Sequence, residues 1–136
     1  MKTNICLAAL AALLLSAAVW ADEATDEYKQ LMKPAATANV NLQRVVQTDL
    51  GAAAQAAADV QTTFAKIEEY WTKRGTADAI RFTKDVEAAA KETHDAAAAG
   101  NKDAAVVGAK KIGANCAGCH MAHRTRLPDG TFMLEP

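Results

Sequence analysis

Aromatic side chains are scarce in this chain, at 5% of its 136 residues, and neither sign of charge dominates, with 15 Lys and Arg against 16 Asp and Glu. Without a basic excess there is no electrostatic footprint for nucleic acid or an anionic membrane. Proline is nearly absent too: within residues 23–126 the only one is Pro34. No segment alternates apolar and polar residues as a half-buried strand would. Cysteines number three, and one of them, Cys6, lies near the start. In place of what is missing, alanine is abundant, a composition that favours helices.

The longest apolar run is also short. Residues 5–19 are apolar except for Ser16, against the roughly 20 residues a membrane span requires. Lys2 precedes the run and Val19-Trp20-Ala21 follows it as a small-residue cleavage site, so residues 1–21 read as a secretory signal. The mature chain is then residues 22–136, a single small domain of 115 residues with a short tail over residues 127–136. It keeps 14 basic and 16 acidic side chains, since Lys2 leaves with the signal. Export to the periplasm is expected, with no stable membrane insertion after cleavage.

Two cysteines remain, in the sequence Cys116-Ala117-Gly118-Cys119-His120. This C-x-x-C-H spacing attaches a c-type haem. Two thiols add to the vinyl groups, and the adjacent imidazole is placed to bind the iron. A redox dithiol and half of a zinc site are the rival readings. A thioredoxin-like dithiol would want a βαβ setting, which the pattern does not supply. Zinc would want further ligands at close spacing, and only His94 and His123 remain in the mature chain.

Around the motif the chain reads as four helices. Breaks fall at residues 48–51, 72–76 and 100–101, with Asp49, Thr76 and Asn101 as N-caps and Gly75 and Gly100 as terminators. Segment two carries Ala53, Ala57, Val60, Phe64, Ile67 and Trp71 on one stripe, and segment three carries Ala79, Phe82, Val86, Ala89, Thr93 and Ala96. The first offers Tyr28, Leu31, Ala35, Ala38, Leu42 and Val45 with Met32 beside them, and Pro34 should bend or restart it. The fourth offers Val106, Ala109, Gly113, Cys116, His120 and His123. Short connections make neighbours antiparallel, so the expected fold is all-α, an up-down-up-down four-helix bundle holding a covalent haem. Alanine runs at residues 52–54, 56–58, 88–90 and 96–99 either make room for that haem or simply reflect helix propensity.

A C-terminal C-x-x-C-H on the last helix of an exported helical chain resembles the cytochrome c′ superfamily. The resemblance spans residues 28–126, although the haem motif carries nearly all its specificity. Three and four positions after the haem histidine the family has an aromatic and a basic residue; here stand His123 and Arg124, so the basic residue is kept. Arg124 is thereby implied to sit near the proximal ligand. Lys29-Gln30-Leu31-Met32 is similar to the family's distal stretch with one residue missing. The Leu-Pro-Asp-Gly-Thr-Phe tail departs from the usual pattern and resembles other exported bundle cytochromes; Pro128-Asp129-Gly130 signals a turn, which could fold Phe132 and Leu134 back onto the bundle.

In one subset of the family a methionine on the first helix completes a low-spin iron, and the protein carries single electrons between periplasmic redox partners. The resemblance implies that role for Met32, with His120 as proximal ligand and Cys116 and Cys119 as thioethers. In the other subset an apolar lid, here Leu31 or Met32, covers a five-coordinate iron that binds NO or CO. Dimerisation is common in the family. Met133 would reach the iron only if the tail wrapped round the haem, and Met121 is next to the proximal histidine. His94 lies among charged residues and reads as solvated; His123 is on the same side of the ring as His120. Tyr28 and Trp71 read as core or rim aromatics. No nucleophile–base pair, paired carboxylates or phosphate loop stands in a suitable context, so no enzyme is expected.

Overall fold

A computed structural model describes the backbone of residues 4–135 and the side chains of residues 25–135. The expected signal segment lies outside the described side chains. Four helices follow one another: α1 (Asn4–Val45), α2 (Leu50–Arg74), α3 (Ala77–Ala98) and α4 (Lys102–His123). Each packs along the next, and the short connections give an all-α four-helix bundle. Among the described residues no helix is long and apolar enough to cross a membrane.

The helix ends follow the sequence closely. The Asp49 carboxylate accepts from the Ala52 N–H at 2.9 Å, and the Asn101 side chain accepts from Ala104 at 3.1 Å. Gly75 and Gly100 take φ of 72° and 74°, the left-handed turn that ends α2 and follows α3. Thr76 differs, because it caps α3 without a side-chain bond. Asp78 instead accepts from the Ala79 N–H at 3.0 Å.

Pro34 does not break α1, which runs through it. Gln30 and Pro34 are both exposed, so the carbonyl deprived of its helical donor faces solvent. The core is led by Trp71, Tyr70, Leu42, Ile67 and Ile112, all nearly inaccessible. The α2 stripe is buried as expected, but α3 and α4 are rolled slightly from the predicted faces. Thr83 and Ala97 are buried while Phe82 and Ala96 are half-exposed. The Thr83 hydroxyl donates to the Ile80 carbonyl at 2.8 Å and Thr93 to Ala89 at 2.7 Å, so both can enter the core with their polar atoms satisfied. On α4 the buried set is Ala105, Gly108, Ala109, Ile112, Cys119 and His123. Gly108 sets that roll: a Cβ there would collide with the Thr93 side chain.

The alanines serve this close approach. Ala53, Ala57, Ala90, Ala105 and Ala109 are fully buried between helices, and none of them borders the cavities described below. The open space arises elsewhere. α1 and α4, the first and last helices, scarcely touch. Among their side-chain ties is Gln43, whose amide donates to the Ala109 carbonyl at 2.8 Å.

Past α4 the structure departs from the sequence reading only at residues 124–126, read as strand-free, which pair with the tail. β1 (Arg124–Arg126) and β2 (Phe132–Leu134) form an antiparallel hairpin, pairing Arg124 with Leu134, Thr125 with Met133 and Arg126 with Phe132. Its turn uses the Pro128-Asp129-Gly130 signal. Gly130 has φ of 86°, and the Asp129 carboxylate accepts from the Thr131 N–H at 2.9 Å and from its hydroxyl at 2.7 Å.

Candidate functional site

Residues three and four apart share a helix face, so the last turns of α4 carry Cys116, Cys119 and His120 together. Cys119 is 7% exposed, while Cys116 and His120 are half-buried. All three border a small void of about 10 Å³, closed by Tyr28 and Met32 of α1, Phe64 of α2, and Phe82 and Val86 of α3. Gly118 lets α4 settle against α3, since a Cβ there would come within 2.8 Å of the Phe82 ring.

A wider cleft of about 370 Å³ adjoins that void. Its walls are Tyr28, Lys29, Met32 and Ala36 from α1, His120 from the end of α4, and Arg124 and residues 131–134 of the hairpin. Tyr28, Met32 and His120 border both spaces. Met32 and His120, far apart in sequence, thus meet across one cleft. Leu31 packs on the core and borders neither space.

The electrostatics of the site favour uncharged side chains. Burial lowers the His120 pKa, and the Arg124 cation lowers it further, so the imidazole stays neutral with a lone pair to give. Burial raises the Cys116 thiol and pushes Cys119 up to about 11, with Cys116 and Asp78 adding to the effect. Such thiols are protonated at neutral pH, unlike the acidified thiol of a dithiol oxidoreductase. Tyr28 is likewise held as a neutral phenol, by burial first and then by the neighbouring Cys119.

An aromatic cluster, partly missed from sequence, backs the cleft. Tyr28, Tyr70 and Trp71 lie with ring centres 5.1 to 5.4 Å apart, and His123 sits 5.1 Å from Trp71. Tyr70 is the member that the apolar stripe omitted. It is 2% exposed, with Arg74 stacked on its ring at 3.5 Å. His123 is 4% exposed; its Nδ1 lies 3.2 Å from the Glu135 carbonyl and its Nε2 lies 3.2 Å from the Asp78 carboxylate. It anchors the hairpin. His94 departs from the solvated role expected of it: half-buried, it places Nδ1 3.0 Å from the Ala54 carbonyl and bridges α3 to α2, away from the cleft.

Arg124 lies beside His120 at the cleft wall, with its guanidinium 4.1 Å over the Phe132 ring. The turn at residues 128–130 was read from sequence, and the strand pairing on either side of it was what escaped. An Asp-Gly turn before the apolar Phe-Met-Leu run was the available signal.

The donors present suit a haem. Two thiols and a neutral imidazole share one helix face, a thioether borders the same mainly apolar space, and the cleft has the size usual for a cofactor site. Haem iron asks only axial ligands of the protein, because the porphyrin supplies the others. Among the described residues no three His, Cys, Asp or Glu side chains are grouped to hold a metal ion directly. Comparison of the chain with family models, with curated proteins and with solved structures finds no match in any of the three.

Proposed function

We propose that this chain is an exported monohaem c-type cytochrome of the cytochrome c′ type that carries single electrons between periplasmic redox partners. The observation that carries the reading is the meeting of Cys116, Cys119, His120 and Met32 around adjoining cavities between α1 and α4. Cys116 and Cys119 would hold the group as thioethers, and His120 and Met32 would ligate its iron. When bound, haem supplies a one-electron iron couple.

The chain's own residues set the surroundings of that couple. Tyr28, Phe64 and Val86 exclude water beside the motif, which favours the less charged form of a buried centre. A methionine thioether opposite histidine raises the potential. Arg124 places a cation beside His120, and the packed α2–α3–α4 layer limits rearrangement around the site.

The test has two stages. Protein matured in a host that attaches c-type haem should give a pyridine haemochrome with two thioether links; its absence overturns the reading and favours the dithiol alternative. The ferric protein should then be low-spin by electron paramagnetic resonance, with a sulfur-to-iron charge-transfer band that Met32→Ala abolishes. A high-spin ferric spectrum unchanged by that substitution overturns Met32 as ligand and makes the site a five-coordinate receptor for NO or CO.

A further inference from the structure

We infer that the C-terminal hairpin is the outer wall of the cofactor cleft, with the Phe132 and Leu134 face packing directly on the bound haem. This rests on the haem reading above. Strand side chains alternate between faces, and the register puts Phe132 and Leu134 on the face shared with Arg124 and Arg126. Arg124, Phe132 and Leu134 of this face all border the cleft that His120 lines, and Met133 borders it as well. Leu134 is half-buried against the α-helical core, whereas Phe132 is 39% exposed beside the cleft. A ring left exposed next to an apolar cavity is accounted for when the cavity's occupant covers it.

The hairpin is held in place for that role. Its Glu135 N–H donates to the His123 carbonyl at 2.8 Å, and the Thr125 hydroxyl donates to the Glu135 carboxylate. His123 returns the contact through Nδ1 and is itself clasped by Trp71 and Asp78. The burial within the hairpin alone is small, since only Leu134 and Glu135 of its returning strand and end are even half-buried. A well-tied segment with so little core of its own is explained by what it covers. Met133 pairs with Thr125 on the other face of the pleat.

The experiment uses the full haem-loaded chain in the diamagnetic ferrous state, with CO added if the iron is high-spin. The Leu134 methyls and the Phe132 ring protons should be shifted upfield by the porphyrin ring current and show cross-relaxation to haem protons. Phe132→Ser and Leu134→Ser should retain full haem by pyridine haemochrome while binding external imidazole severalfold faster. Haem-loaded protein with ordinary Leu134 and Phe132 shifts, and unchanged imidazole rates in both variants, overturns the wall while leaving the cytochrome reading intact. Absence of covalent haem overturns both.

Discussion

Gly108 has no chemistry, yet it sets how α4 lies on α3. A methyl group at that position would overlap the Thr93 side chain, whose hydroxyl is already committed to the Ala89 carbonyl. Gly108→Ala should therefore destabilise the bundle by about 1–3 kcal/mol, the range for overpacking a tight core, despite the higher helix propensity of alanine. Urea unfolding followed by far-ultraviolet circular dichroism measures it. Gly113→Ala is the control: nothing lies near its Cβ position, and it should be neutral or stabilising. The grouping of Cys116, Cys119 and His120 was legible because their spacing places them on one helix face. Met32 was singled out only through resemblance, since a thioether on an amphipathic helix usually reads as core. Tyr70 and Thr83 escaped because each lies one step from a regular stripe, where the roll of a helix decides between core and rim.

Caps and turns carried the element boundaries. Asp49, Asn101, Gly75 and Gly100 all act where the sequence put them, because each satisfies backbone groups that a helix end leaves open. Asp49→Ala and Asn101→Ala should each cost about 1 kcal/mol in thermal or urea unfolding, while Thr76→Ala should cost little, because Thr76 makes no cap bond. Equal losses at all three would show that the side-chain bonds are not what stabilises these ends. The hairpin was less legible than the helices. Arg-Thr-Arg continues a helical segment without interruption, and β1 exists only because β2 returns to pair with it. Strand pairing is non-local, so a window read along the chain sees half of the cause.

At the scale of the whole molecule, charge is balanced but not evenly placed. Glu87 of α3 is pushed up to about 7, by burial first and then by the Glu68 carboxylate on α2, although Lys84 opposes this from 3.4 Å of Glu68. Its Oε1 is enclosed without a hydrogen-bond donor. A carboxyl whose pKa is raised by folding binds its proton more tightly in the folded state, so its contribution to stability declines as pH rises from about 4.5 through about 7 and is level above. Glu87→Gln should match the parent at about pH 5 and exceed it by about 1 kcal/mol at about pH 8, a reduced figure because the side chain retains contact with water. Thermal unfolding of the two proteins across that range decides it; a constant difference would mean that Glu87 does not titrate there.

The seam between α1 and α4 has a consequence for maturation. α2, α3 and α4 pack in succession through dense alanine contacts, but the cleft takes shape only when residues 28–32 meet residues 116–120. Such distant pairing is slow to form and easily lost. In the cytochrome reading, thioether bonds on one rim and an iron–sulfur bond to the other make the cofactor a clasp across the two ends of the fold. Breaking the Met32 ligation would then loosen the α1–α4 seam as well as alter the iron, while α1 stays packed on α2, so ligation of the metal and closure of this seam would be coupled.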